Sequence, residues 1–451
     1  MAPISIFWFR RDLRLNDNAG FYHALRSGRS VLPLFIFDRT ILDELENRQD
    51  ARVTFIHRQV VELKRQLQLI GAGLLVYHGE PAEVWKQIVQ QWKVEKVYTN
   101  RDYEPYATRR DAQIKSILEL KGISFETFKD HVIFDGPEVL KSDGTPYTVF
   151  TPYSRRWLEK LANGLPKVEL QKSFFLKSFP TERYFENLLK INDLNAEARQ
   201  LLSRFPTLET MGFRQSDLEF PPITVASGLI RAYDKTRDFP AKEGTSKLGI
   251  HFRFGTISIR EKARKALDLN LTFLNELIWR DFYSQILFHF PKVATHSFRP
   301  EYDRIQWRNN PGELQRWKMG QTGYPIVDAG MRQLNETGYM HNRVRMITAS
   351  FLTKHLLHDW RLGEAYFAEK LLDYDLASNN GGWQWAAGCG TDAAPYFRIF
   401  NPSEQTKKFD PSLEYIRHWV PEFGSSKYPT PMVDHVFARN RCLETYKNAL
   451  K

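Results

Sequence analysis

Cysteine is almost missing from this chain of 451 residues, which holds only Cys389 and Cys442. That excludes a disulfide framework and a thiolate metal site, and it fits a reducing cytoplasm. Long apolar runs are missing as well. No stretch approaches the roughly 18 apolar residues of a membrane span, so no membrane partner is expected. The opening MAPISIFWFRRDLRL has a short apolar run ahead of Arg10 and Arg11, and reads as a first buried strand, not a signal peptide. A glycine-rich phosphate turn should follow that strand in an ordinary dinucleotide-binding fold. RRDLRLND stands there instead. Internal repeats and low-complexity runs are also lacking, so a solenoid or a disordered array is excluded.

What the chain does have is length, apolar content and positive charge. Its 42% hydrophobic residues can fill sizeable cores, and the length favours two domains with a connecting stretch. Lys and Arg number 64 against 53 Asp and Glu, a surplus of +11. Such a surplus points to an acidic partner, nucleic acid being the commonest. Aromatics reach 14%, with 11 Trp, supplying core but also stacking surfaces for bases and flat cofactors.

Short apolar runs at 4–9, 31–37, 74–77 and 97–99 alternate with helical periodicity at 52–70, 81–92 and 108–120. This pattern predicts a parallel sheet wrapped by helices over residues 1–134. From 135 to 221 Gly and Pro recur, as in DGPEVLKSDGTPYTVFTP, and the stretch reads as a long linker carrying some helix. Residues 222–451 are dominated by helical patterns. The fold class expected is therefore α/β followed by all-α.

Four segments carry chemistry. Thr245 and Ser246, after Gly244, stand at a helix start where backbone N–H groups and hydroxyls can meet a phosphate; the same residues can simply cap the helix. In NELIWRDFYSQ a helical wheel puts Glu276, Trp279, Arg280 and Tyr283 on one face and Ile278, Phe282 and Ile286 on the other. A polar face bearing Trp and Tyr suits a cavity that stacks a base, though Trp279 could equally pack on a neighbouring helix. Asn342, Arg345 and Met346 fall within one helical turn, next to His341, a tempting catalytic residue beside which Asn342 and Met346 are the better candidates. Finally, Asp373, Asp375, Asn379 and Asn380 precede Gly381, Gly382, Trp383 and Trp385. The carboxylates lack His or further acids at ligand spacing, so no metal is expected.

In order along the chain, WFRRDLRLNDN, GTSKL, ELIWRDFY, TGYPIVDAGMRQL, HNRVRM and NNGGWQWAAGCGTDAAPYFRIFNP resemble motifs of the photolyase and cryptochrome family. The resemblance covers nearly the whole chain and is closest to bacterial class I cyclobutane pyrimidine dimer photolyases. It implies an N-terminal Rossmann-like antenna domain, a linker, and a C-terminal helical domain holding FAD. Flavin contacts then fall on Tyr233, on Thr245, Ser246, Lys247, Leu248 and Gly249, and on Arg345, Asp373, Tyr374, Asp375 and Asn379. Gly249 replaces the serine more usual in the family and removes one hydroxyl.

The resemblance further implies ultraviolet-damaged DNA as partner. Lesion contacts fall on Arg237, Glu276, Trp279, Arg280, Asn342, Arg343, Met346, Trp385 and Gln405, with Tyr283 beside them. Members of that family flip the damaged bases out of the duplex. Glu276 and Asn379 are expected to assist repair, and Trp307, Trp360 and Trp383 to form an electron relay. For a second, antenna chromophore, Arg52, Asp102 and Glu104 resemble the deazaflavin-binding pattern. Folate-binding relatives carry an Asn-Glu pair where Tyr106 and Ala107 stand here. Six-four photolyases carry histidines where this chain has Asn342 and Met346, and cryptochromes usually add a signalling tail for which little chain remains after RCLETYKNAL. The expectation is a monomeric, cytoplasmic, nucleoid-associated bacterial enzyme.

Overall fold

The computed structural model describes residues 2–451 and every side chain among them except that of Lys167. The chain divides into two compact units that interleave in sequence. One comprises the residues up to Asp135, Leu161–Ile223 and Ile250–Lys265; the other comprises Gly136–Lys160, Thr224–Gly249 and Ala266–Lys451.

The first unit is built on five strands: β1 (Ile4–Phe9), β2 (Val31–Asp38), β3 (Leu75–Gly79), β4 (Val94–Asn100) and β5 (Ser124–Phe128). They pair in parallel in the order β3-β2-β1-β4-β5. Every residue of β1 and β2 is buried. This is why the central strands read as unbroken apolar runs without alternation. Burying each Phe, Leu or Ile there contributes about 1.5–3 kcal/mol. Helices α1 (Ala19–Leu25), α2 (Ala51–Leu69), α3 (Pro81–Gln91) and α4 (Pro105–Glu119) connect successive strands. Asn18 and Asp50 cap α1 and α2 through their side chains, and Pro opens α3 and α4.

Two elements here departed from the sequence expectation. β5 was not foreseen, because SFETF lies at the sheet edge with every residue at least partly exposed, and so carries no apolar run. α1 was missed because its seven residues are too short to display helical periodicity.

The second unit is helical. Its main helices are α5 (Phe150–Ala162), α6 (Leu271–His289), α7 (Pro325–Thr337), α8 (Asn342–Ser350), α9 (Trp360–Lys370), α10 (Leu376–Ala387), α11 (Pro402–Phe409) and α12 (His435–Ala449), with further short helices and turns between them. A π-helical turn, Phe351–His355, prolongs α8. The core of this unit holds Trp317, Trp360, Trp383 and Phe367, together with both cysteines. Burial pushes the Cys389 and Cys442 thiols up to about 12, which leaves them unreactive.

Candidate functional site

Helix α6 begins at Asn270, whose side chain accepts from the Thr272 and Phe273 amides. Its wheel splits as the sequence predicts. Ile278, Phe282 and Ile286 are buried, while Glu276, Trp279, Arg280 and Tyr283 line a cavity of about 450 Å³. Trp279 packs on a neighbouring helix and also reaches the cavity. One face of its indole lies flat on Phe150, centroids 3.6 Å apart at 2°, and the residue also borders the cavity. Tyr283 sits where it does because position 381 is glycine: a Cβ there would stand 2.2 Å from its ring. Glu276 accepts a hydrogen bond from Arg237. Burial raises its carboxyl above the ordinary range, against the pull of Arg237.

Helix α8 brings Asn342, Arg343, Arg345, Met346 and Ala349 to the same cavity. Arg343 donates to Asp238 at 2.6 Å and lies over the Phe409 ring at 4.4 Å. His341 does not line the cavity. Its ring caps α8 by accepting from the Arg343 amide at 3.2 Å, and burial pushes it down to about 4, so it stays neutral.

The third wall comes from Leu371 to Asp375 and from α10. Asp375 caps α10 through the Ser378 amide at 3.2 Å. Both Asp373 oxygens accept from one Arg345 nitrogen, at 3.1 and 3.0 Å. Asn379 donates through Nδ2 to the Glu364 carbonyl oxygen and to its Oε1, at 3.1 and 2.8 Å. That fixes the amide orientation and leaves Oδ1 as the acceptor available to the cavity. Tyr374, Gly382, Trp383 and Trp385 complete this wall with Phe367 and Leu371. A Cβ on Gly382 would meet nothing within 4 Å.

Tyr233 and the 245–249 segment border this region without lining the cavity. Thr245 Oγ1 lies 3.0 Å from the Tyr339 hydroxyl, and Arg345 lies 5.8 Å from the Tyr339 ring centre. Ser246 accepts from the Leu248 amide at 3.4 Å. Lys247 pairs with Glu243 at 2.8 Å. A Cβ on Gly249 would fall 2.5 Å from Asp373 Oδ2 and 2.6 Å from its Cβ. Tyr233 packs edge-on against Phe273 and beneath Arg237.

Gln405 lies on α11 and does not line the cavity. Of the tryptophans expected to relay electrons, Trp383 lines it, Trp360 is buried at the start of α9, and Trp307 is half-buried beside Tyr446. Trp383 also touches Phe367 and Trp317, with centroids 4.9 and 6.0 Å apart.

In the first unit, Asp102 and Glu104 follow β4 at the point where the strand order reverses, a usual ligand position in such sheets. Arg11, following β1, bridges them at 3.1 and 2.9 Å, and Arg253 pairs with Glu104. Burial works against the Asp102 charge, yet Arg11, His131 and Arg253 outweigh it and hold that carboxyl below its ordinary range. Arg52 pairs with Asp50 at 2.5 Å.

Sequence reasoning missed Tyr339, Glu364, Phe367 and Phe150. The first three are single residues on helices or turns without a motif. Phe150 lay in a stretch read as linker.

Residues 5–171 match the DNA photolyase family, and residues 273–426 match the FAD binding domain of DNA photolyase. The chain is similar to the deoxyribodipyrimidine photo-lyase of Synechococcus sp., 38% identical over 489 residues, covering 100% of this chain and 97% of the relative. Its structure is similar to that of a bacterial class III photolyase from Agrobacterium tumefaciens, with a TM-score of 0.82 and 30% identity, covering 100% and 98% of the two chains. It is also similar to an archaeal photolyase from Sulfolobus tokodaii, solved with two FAD molecules, with a TM-score of 0.77 and 34% identity, covering 98% and 99%.

Proposed function

The chain belongs to the DNA photolyase family, and from that premise we propose that it repairs cyclobutane pyrimidine dimers in DNA by light-driven electron transfer. The observation that carries this reading is the cavity wall on α6 and α8. It presents an aromatic plane, Trp279, with a carboxyl, Glu276, one turn before it, and faces them with Asn342 and Met346. A dimer turned out of the duplex is flat enough to lie on the indole and offers carbonyl oxygens to Glu276 and Asn342. Arg237, Arg280 and Arg343 stand near enough to take the flanking phosphates. Glu276, raised by burial, acts as a hydrogen-bond donor once it is protonated. No side-chain nucleophile is involved.

The residues fit a flat, charged dinucleotide. Apolar walls from Ala349, Phe367, Leu371 and Trp383 face the cavity, Gly382 leaves open space for close backbone approach, and the Arg345–Asp373 pair adds fixed charge. Asn379 Oδ1, oriented by Glu364, accepts from an N–H group, which favours a ligand ring in its protonated, reduced form. When bound, reduced FAD would lend the photoexcited electron that opens the cyclobutane ring and regain it once the bases are restored. Trp383, Trp360 and Trp307 relay electrons between the cavity and the outside of the protein. An antenna chromophore of deazaflavin type, or a second flavin, sits at the carboxyl end of the sheet near Arg52, Asp102 and Glu104. The protein works as a cytoplasmic monomer on chromosomal DNA.

The experiment is chromatography of purified dimer and six-four photoproducts after illumination with reduced holoenzyme, alongside dark controls. Light-dependent restoration of bases from the dimer alone is expected. No histidine lines the cavity among the described residues, and the six-four reaction needs the proton transfer that histidine suits. Repair of the six-four product alone would overturn the pocket argument. Repair of neither would move the chain to the light-sensing branch.

A further inference from the structure

The stretch that precedes and opens α5 is tied to α6 along its length. Gln285 Nε2 donates to the Tyr147 carbonyl at 2.8 Å, and Trp157 Nε1 donates to Asp281 Oδ2 at 3.0 Å. Tyr153 packs on Phe282, with centroids 5.3 Å apart. At the first residue of α5, the Phe150 amide donates to Asp392 Oδ2 at 3.3 Å. Its ring lies parallel to Trp279 at 3.6 Å and 2°. Phe150 itself is 7% exposed and does not line the cavity.

We propose that Phe150 is a positioning residue for lesion recognition: by covering one face of Trp279 it fixes the plane of the indole and leaves the remaining surface to the lesion. The inference rests on the lesion-pocket reading above. An indole on a helix can turn about its outer side-chain torsion, and an unbacked ring loses that freedom when a base stacks on it. A ring already clamped against Phe150 loses less, so stacking is tighter for the same contact. A flat partner is required for this. Leucine of similar bulk fills the space without holding the plane. Phe150 touches neither substrate nor flavin and acts only through Trp279.

The test uses flavin-loaded full-length protein and measures, for each variant, affinity for a dimer-containing and an undamaged oligonucleotide at fixed salt. Melting curves establish that each variant is folded at the assay temperature. Phe150→Leu is expected to lose roughly three- to tenfold in dimer affinity, the scale of one aromatic pair, with undamaged DNA bound as before. In a Trp279→Ala background the same change should cost nothing further, because the ring it positions is gone. Three results would each overturn the proposal: wild-type dimer affinity in Phe150→Leu, equal loss for both oligonucleotides, or a Phe150→Leu penalty that persists beside Trp279→Ala. The single variant Trp279→Ala separates the two levels of argument. If it keeps full discrimination, the lesion pocket is wrong and this inference falls with it. If it loses discrimination while Phe150→Leu keeps it, only the role of Phe150 is wrong.

Discussion

At the scale of single residues, the glycine at position 249 has a physical reason. A side chain there would press on Asp373, whose carboxylate is held by Arg345. Gly249→Ser should therefore displace that pair instead of adding a useful hydroxyl. The expected outcome is weaker retention of FAD, several-fold by absorbance after dialysis; unchanged or improved retention would show that Asp373 moves aside freely. Trp360 offers a second test, since Trp383 also touches Trp317. Trp360→Phe should slow photoreduction of oxidised flavin at least tenfold while leaving repair by chemically reduced enzyme largely intact. A wild-type rate would send the electron through Trp317. The sequence made Glu276 and Trp279 legible because helical period alone decides which side chains share a face. It could not show Tyr339 or Glu364, since each acts through one hydrogen bond made in three dimensions.

At the scale of elements, α8 carries a titration that the cavity does not use. Burial holds His341 down to about 4 and His355, in the π-turn, down to about 3, from an ordinary value of 6.5. The folded chain keeps both rings neutral, whereas the unfolded chain takes up protons below that ordinary value. Stability from these groups is thus complete above about pH 6.5 and is lost as pH falls toward 4, by at most about 1.4 kcal/mol per pH unit for each ring. Thermal unfolding between pH 7 and 4.5 should show the fall. His341→Asn keeps an acceptor for the cap and should make the fall shallower, leaving the share of His355; a curve parallel to wild type would place the linkage elsewhere. The elements themselves were legible in proportion to their burial. β1 and β2 announce themselves as apolar runs, and α2 shows its period over five turns. By contrast, α5 starts among Thr and Pro residues in PYTVFTP, turn-formers that conceal the helix.

At the scale of the whole molecule, the surplus of positive charge predicts a steep salt dependence. Binding to undamaged DNA should weaken with a log–log slope of about −0.9 for each phosphate neutralised. Dimer-specific binding should weaken at least as steeply, since Arg237, Arg280 and Arg343 at the cavity add phosphate contacts around the lesion. A flat titration would deny DNA as the partner. No helix among the described residues is long and apolar enough to cross a membrane. Charge and length were plain from composition, but the order in which the chain visits its two units was not. Each unit takes three segments in alternation, so the polypeptide passes from one to the other five times. A gene fragment starting after the glycine- and proline-rich stretch would encode α6 without the helix that braces it. The halves of this protein therefore cannot be exchanged as cassettes: recombination with a relative has to carry residues 136–160 along with the C-terminal half, or the hybrid inherits α6 with nothing behind its Trp279.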